Sequence, residues 1–179
     1  MKILMIFNCA LLLLLCKTAA AQTYTPSDNG SSVKFVIKNF GFGVDGSFKN
    51  LKGIIIFDPA DLKASSFKVT VDATTVNTGN GSRDGHLRKE EYFDAAKYPK
   101  ISFVSDKIEK TEAGYAATGT FTIKDKSKTV AIPFTATPQG NGYLFIGKVQ
   151  LNRRDFNVGG SSMILSDNLT LMLSVLAVK

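Results

Sequence analysis

The chain has 179 residues, the length of one ordinary domain, and 44% of them are hydrophobic, including 13 Phe and 5 Tyr. This composition can bury a core and excludes a disordered tail. The formal net charge is +7, but many lysines stand singly between apolar residues, and the densest cluster, Lys124 to Lys128, is interrupted by Asp125 and Ser127. This distribution argues against the contiguous basic stripe of a nucleic-acid-binding protein.

The first 21 residues have the three-part pattern of a secretory signal peptide. Lys2 precedes an apolar run from Ile3 to Leu15, and three alanines ending at Ala21 offer small residues for cleavage. We therefore predict a signal peptide over 1–21, cleavage before Gln22, and a single domain over 22–179 in the periplasm. No other stretch has the roughly 20 apolar residues that a spanning helix needs, so we predict no transmembrane segment.

Both cysteines, Cys9 and Cys16, lie in this leader. Leu15 precedes Cys16 where a bacterial lipoprotein signal usually has a small residue, so we expect no lipid anchor at Cys16. The rest of the chain has no cysteine, which excludes disulfides and thiolate metal sites there. His86 is the only histidine, so a metal site would depend on carboxylates alone, and we predict no metal or cofactor.

Alternation of apolar and polar residues marks strands along most of the chain. The apolar positions, in chain order, are Val33, Phe35 and Ile37; Phe48, Leu51, Gly53, Ile55 and Phe57; Phe67, Val69, Val71 and Ala73; Ile101 and Phe103; Tyr115, Ala117, Gly119, Phe121 and Ile123; Val130, Ile132 and Phe134; Tyr143, Phe145, Gly147, Val149 and Leu151; and Leu169, Leu171, Leu173, Val175 and Ala177. These segments are rich in Val, Ile, Phe and Thr, and Gly, Pro, Asn and Asp separate them, which is typical of strands.

One segment, residues 83–96, has no alternation and many helix formers. We predict a short helical excursion there, with Leu87 and either Tyr92 or Phe93 facing the sheet. Tyr98 and Pro99 should end it, because the residue before a proline disfavours helical backbone.

Eight or nine strands with short connections predict an all-β, antiparallel fold, which leaves a sandwich and a closed eight-stranded barrel open. Gly53, Gly119 and Gly147 fall on the inward parity. They favour a barrel if they leave room inside it, and the alternative is that they mark β-bulges.

The inward parity carries most of the large aromatic residues, which allows two functional interpretations. Inward aromatics are typical of a well-packed core, and the residues by themselves favour this interpretation. A filled barrel would act through its outer surface, for instance in an envelope stress response, whereas a hollow one would bind an apolar ligand. An enzyme is a distant third interpretation, since no Gly-x-Ser-x-Gly nucleophile motif is present.

Short motifs follow one another in a fixed order along the chain. They are Asn39-Phe40-Gly41, Gly46-Ser47-Phe48, Gly53 through Asp58, Thr78-Gly79, Arg83-Asp84-Gly85-His86-Leu87, Tyr92-Phe93-Asp94, Tyr98-Pro99, Ile101-Ser102-Phe103, Gly119 through Ile123 and Asn152 through Phe156. No single motif is specific, but the ordered set resembles the YceI-like family over nearly all of residues 23–178. The chain departs from that pattern at Asn39, where many relatives have His, and at Asn157, where many have Gly.

The resemblance implies a periplasmic, lipocalin-like barrel whose interior holds a polyisoprenoid or similar amphiphilic lipid, without enzymatic activity. It reverses the preference for a filled core. Ligand contacts are then expected from Phe35, Ile37, Phe48, Ile55, Phe57, Phe67, Val69, Val71, Ile101, Phe103, Phe121, Ile123, Ile132, Phe134, Phe145, Val149, Leu171 and Leu173. Whether the lipid is transported, stored or sequestered, and whether the chain forms a homodimer, stays open.

A set of polar residues lies near the predicted strand ends, and it also allows two roles. The set consists of Asn39, Arg83, Asp84, His86, Arg153 and Asp155. Together they would bind the polar head of an amphiphile, since arginine offers five donors and is always charged. The alternative is a structural clamp, with the carboxylates accepting turn amides. Adjacent residues of an extended segment point opposite ways, so Arg83 and Asp84 favour the clamp.

Overall fold

The computed structural model describes residues 22–179, so the predictions for the leader and for Cys16 lie outside it. Nine strands are present in this range. They are β1 (Thr23–Pro26), β2 (Ser32–Asn39), β3 (Phe42–Ile56), β4 (Ser66–Asn77), β5 (Lys100–Thr111), β6 (Gly114–Ile123), β7 (Lys126–Gln139), β8 (Gly142–Asn152) and β9 (Leu165–Val178). One α-helix, α1 (Gly81–Leu87), and two 3-10 helices, Leu62–Ala64 and Arg153–Phe156, complete the elements.

The strands form one antiparallel sheet that closes on itself. Sequential neighbours pair from β2 to β3 and from β4 through to β9, while β9 pairs back to β2 and β3 pairs with β4. The short β1 is in line with β2, because it pairs with β3 at Tyr24–Ile55 and with β9 at Thr25–Val178. The predicted eight-stranded antiparallel barrel is therefore confirmed, with β1 as an additional strand.

The alternation of the sequence determines which side chains face inward. Along β6, Ala117, Phe121 and Ile123 are buried, whereas the threonines between them are partly exposed. The same pattern recurs on β5, where Ile101 and Phe103 are buried and Ser102 and Val104 are not. Period-two patterning thus places one set of side chains inside the closed sheet and the other on its outer surface.

The three inward-parity glycines have two different roles. A Cβ atom at Gly53 would collide with the carbonyl oxygen of Lys68, and the φ of Gly53 is +146°, which favours glycine. A Cβ at Gly119 would collide with the carbonyl oxygen of Val104, beside a register shift between β5 and β6. These two glycines allow close backbone approach at irregular pairings. Of the three, Gly147 lines the cavity, and a Cβ atom there would come within 3.1 Å of the Pro133 carbonyl oxygen.

The helical excursion is shorter than predicted and begins earlier. Helix α1 starts at Gly81 because the Asn80 side chain caps it, accepting from the backbone N–H of Arg83 at 3.0 Å. It ends at Leu87, and residues 88–98 continue as turns, so the predicted excursion consists of one short helix followed by turns. The Arg88 guanidinium fixes the end of the helix against β4, since it donates to two carbonyl oxygens of that strand at 2.7 and 3.1 Å.

The two ends of the barrel differ in their connections. One end, which we call the mouth, carries the β2–β3 hairpin, residues 78–99 with α1, the β6–β7 turn and residues 153–164. The opposite end, the floor, carries the connections between β3 and β4, β5 and β6, and β7 and β8. The elements that do not alternate are therefore concentrated at the mouth.

Candidate ligand cavity

The barrel encloses a cavity of about 740 Å³ that extends from the mouth toward the floor. Side chains from β2 through β9 contribute to its wall, and most of them are aliphatic or aromatic. Cavities of roughly 300–1,000 Å³ with mainly apolar walls are typical of small-molecule sites. The inward aromatic residues thus form two groups. Those near the floor pack against one another, and those nearer the mouth surround the cavity.

The cavity wall can be compared with the predicted ligand contacts. Every predicted residue lines the cavity except Phe57 and Val149. Val149 is partly buried and packs beside the core. Leu87, Tyr92 and Phe93 also line the wall, so the prediction that Leu87 and one of the two aromatic residues face the sheet agrees with the structure. The structure adds wall residues that the sequence pattern missed, namely Phe156, Val158 and Leu165. They lie at the mouth, between the end of β8 and the start of β9, where the position of a side chain depends on long-range contacts.

Phe57 closes the floor instead of lining the cavity. It follows β3 and is only 1% exposed. Its ring lies edge-on to Tyr115, Tyr143 and Phe145, with centroid distances of 5.3, 5.2 and 5.3 Å. Edge-to-face pairs at such distances are favourable because the positive ring edge meets a negative ring face. Phe57 therefore belongs to a packed aromatic plug under the cavity.

Polar side chains of the cavity are concentrated at its mouth. Those nearest the opening are Asn39, Thr78, Asn80, Ser82, Arg83, His86, Ser161 and Ser162. His86 is exposed to solvent, and Arg83 and Asn39 are partly exposed. The cavity is therefore amphipathic along its length, with an apolar wall and a polar entrance.

Arg153 acts as a clamp for the chain segment that follows it. The residue is 2% exposed, although arginine is rarely buried unless its donors are paired. Its acceptors are the carbonyl oxygens of Val158, Gly160, Leu165 and Ser166 and a carboxylate oxygen of Asp167, at 2.7–3.4 Å. A guanidinium has five N–H donors, and these five bonds occupy them. Arg153 therefore shapes the mouth and has no donor left for a ligand.

Arg83 and Asp84 point to different surroundings, although both contact Thr78. Asp84 is buried outside the cavity wall, and its carboxylate accepts from the Thr78 N–H and hydroxyl at 2.8 and 2.6 Å. The Arg83 guanidinium donates to the Thr78 hydroxyl oxygen and carbonyl oxygen at 2.7 and 2.9 Å and also lines the cavity. Asp84 is thus a structural residue, and Arg83 is both structural and accessible from the cavity.

The hydrogen bonds from Thr78 lower the pKa of the Asp84 carboxyl below its ordinary value of 3.8. A carboxyl with a lower pKa in the folded state stabilises that state at pH values above its unfolded pKa. This contribution to stability is therefore present at neutral pH and is lost only as the pH falls below 3.8 through the lower folded pKa.

Asp155 does not take part in the mouth. The 3-10 helix Arg153–Phe156 buries Arg153 and Phe156 and leaves Asp155 on the outer surface. Its nearest cation is the Lys128 ammonium at 3.7 Å, and both side chains are about half exposed. The interpretation in which Asp155 joins Arg83 and His86 in one polar group is therefore wrong. In a 3-10 helix with three residues per turn, a residue two positions after Arg153 points to a different side.

Replacement of Arg153 by alanine should destabilise the folded state by on the order of 3 kcal/mol, because several buried carbonyl oxygens would lose their donor. The matched control is Arg154→Ala, which removes the same charge from an exposed neighbour. It should change stability by less than about 0.5 kcal/mol. Urea unfolding of both variants measures the difference, and equal losses would contradict the clamp.

Two further properties concern residues 22–179 only. None of the helices in this range is both long enough and apolar enough to span a membrane. The same residues contain no group of three or more His, Cys, Asp or Glu side chains placed to hold a metal ion.

Comparisons with known proteins agree with this architecture. The family model of the YceI-like domain matches residues 24–177. UPF0312 protein YE1254 of Yersinia enterocolitica is 30% identical over 173 residues, which cover 90% of this chain and 89% of that protein.

Two solved structures have the same fold. The crystal structure of Burkholderia cenocepacia BcnA superposes with a TM-score of 0.80 at 29% identity, covering 86% of this chain and 99% of that one. A polyisoprenoid-binding domain from Saccharophagus degradans superposes with a TM-score of 0.68 at 14% identity, covering 86% and 97%. The match of the family model over almost all of the described residues, together with this barrel, shows that the chain belongs to the YceI-like family.

Proposed function

We propose that this protein is a periplasmic binding protein that encloses the apolar chain of one amphiphilic lipid, such as a polyisoprenoid, in its barrel. The cavity of about 740 Å³ with its apolar wall is the observation that carries this proposal. The Saccharophagus degradans domain of the same fold, which is described as polyisoprenoid-binding, supports the choice of ligand class. The signal-peptide pattern of the first 21 residues supports the periplasm.

Burial of the lipid chain provides the driving force for binding. Each methylene group that moves from water into an apolar wall contributes about 0.8 kcal/mol. The cost of ordering a flexible chain opposes this gain. Affinity should therefore rise with chain length until the cavity is filled and change little beyond that length.

The polar entrance suggests the orientation of the ligand. Two of the Arg83 hydrogen bonds go to Thr78, which leaves further N–H donors of the five on the guanidinium. His86 and Asn39 lie at the same opening. We propose that the head of the amphiphile is held among these residues, with its chain directed toward the floor.

A binding role without catalysis agrees with the chemistry of the cavity. The wall residues nearest the floor are Phe67, Phe134 and Phe145, and none of these side chains can transfer a proton or attack an electrophile. The alternative function, a filled barrel that acts through its outer surface, depends on an interior without space. The cavity of about 740 Å³ argues against that alternative. The proposal therefore places function inside the barrel.

The test is native mass spectrometry of the exported protein purified gently from its own periplasm, followed by lipid extraction. A bound mass that extracts as an isoprenoid or related amphiphile is expected. Titration with isoprenoid alcohols of increasing length should show the rise and levelling of affinity. An unliganded protein that binds none of these alcohols would contradict the proposal.

A further inference from the structure

An exposed apolar surface surrounds the entrance of the cavity. Four large side chains form it, Phe40, Phe42, Met163 and Ile164, and we call this set the apolar rim. Met163 is fully exposed and Phe42 is 77% exposed. The two loops that carry the rim are joined, because the Phe40 N–H donates to the Ile164 carbonyl oxygen at 2.8 Å. The rim is therefore one continuous feature of the mouth.

The backbone at Phe40 indicates that folding alone does not account for this residue. Phe40 and Gly41 have φ values of +51° and +80°, the left-handed conformations of a tight hairpin turn. Such turns favour Asn or Gly, and a bulky residue in this region is an outlier. Because 67% of its surface is exposed, Phe40 contributes little apolar burial to the stability of its own chain. Outliers of this kind are found where function requires them.

The rim is continuous with the cavity. Ile164 belongs to both, and Asn39 and Leu165, which pair between β2 and β9 next to the rim, also line the cavity. These side chains border one side of the opening through which a lipid would enter or leave the barrel. The rim therefore lies beside the path of the ligand.

The rim itself is uncharged, and charges of both signs surround it. Residues 39–44 and 159–166, which carry the rim, contain no charged side chain. Lys38 is exposed two residues before Phe40, and Glu90 and Glu91 are exposed beside residue 159, whose N–H donates to the Glu91 carbonyl oxygen at 2.8 Å. The Lys124 ammonium donates to the Glu90 carbonyl oxygen at 2.8 Å and balances part of this acidic charge. Uncharged apolar tips within a charged margin are typical of surfaces that enter a lipid interface.

We propose that the apolar rim inserts into the interface of a phospholipid bilayer and that the barrel exchanges its ligand there. This inference rests on the proposed function, since it supplies a path by which an apolar chain reaches the cavity without crossing water. A bilayer is the occupant that fits an uncharged apolar rim that is continuous with an open apolar cavity.

The test is co-sedimentation of the exported protein with vesicles of phosphatidylethanolamine and phosphatidylglycerol. The rim variant is the double substitution Phe40→Asn and Phe42→Thr, which removes two exposed rings and leaves an Asn-Gly turn of the kind that this hairpin favours. The control is Ile54→Ser with Ile146→Ser, which removes two side chains of 52% and 50% exposure from the barrel wall. Circular dichroism should show that both variants are folded.

The rim variant should partition into vesicles at least about tenfold more weakly than the unchanged protein, whereas the control should bind as before. Equal binding by the rim variant, or an equal loss in the control, would overturn the proposal. So would sedimentation showing that the unchanged protein is a dimer that the rim variant dissociates, because the rim would then cover a second copy.

A separate titration distinguishes this inference from the proposed function. Isoprenoid alcohol dispersed in detergent should bind the rim variant with unchanged affinity, because the cavity wall is intact. Vesicle binding without any isoprenoid binding would reject the proposed function and leave the docking surface standing. Isoprenoid binding without vesicle binding by the unchanged protein would reject the docking surface alone.

Discussion

Replacement of Phe57 by alanine should lower the free energy of unfolding by about 3–5 kcal/mol. Phe57 is 1% exposed, and its ring contacts three other rings edge-on at 5.2–5.3 Å. Removing it takes a large apolar group from the core and leaves a void among rings that the closed sheet holds in place. Urea unfolding monitored by circular dichroism measures the loss.

The control for this prediction is Phe42→Ala, the same change at a side chain that is 77% exposed. It should change stability by no more than about 0.5 kcal/mol, as is usual for surface positions. If Phe57→Ala costs less than about 1 kcal/mol, the floor is not a packed plug and the cavity extends through it.

Replacement of Leu171 by tryptophan should reduce the affinity for an isoprenoid alcohol by at least about tenfold, because the indole would occupy space that the lipid chain needs. Adding volume to a filled core usually costs about 1–3 kcal/mol of stability, whereas adding it beside an open cavity should cost less. Fluorescence titration and thermal unfolding of the same variant measure the two quantities.

Met172→Trp is the matched control, since this neighbour on β9 is only partly buried and lies outside the cavity wall. It should leave affinity unchanged. A Leu171→Trp protein that unfolds readily and still binds the alcohol when folded would show that the ligand lies elsewhere.

The sequence predicts the faces of strands far better than it predicts positions along the barrel. Phe57 and Ile55 share a parity, so alternation assigns both to the interior. Only the structure shows that Ile55 lines the cavity while Phe57 lies under it, because depth depends on where β3 ends relative to its neighbours. Parity also cannot reveal a cavity, since a filled barrel and a hollow one have the same alternation.

The mouth was the least predictable region for a different reason. The role of Arg153 depends on backbone carbonyl groups of residues 158–166, which carry no signal in the side-chain pattern. The wall residues Tyr92 and Phe93 lie in turns, and Phe156 lies in a 3-10 helix, and such contacts determine the course of both segments. By contrast, about half of the motifs that carry the family resemblance lie in these segments, and the match over residues 24–177 confirms the resemblance.

The pairing of β2 with β9, which closes the barrel, has a consequence for the order in which the protein folds. The first long strand, β2, pairs with the last one, β9, from Ser32–Ser174 onward, and β1 also ends against β9. A nascent chain that lacks β9 leaves β2 and β8 as open edges, so the ring cannot close until the last strand is available. Pairing over such a sequence separation is slow. For a chain exported as we propose, we expect the ring to close only on the far side of the membrane, after β9 has reached it.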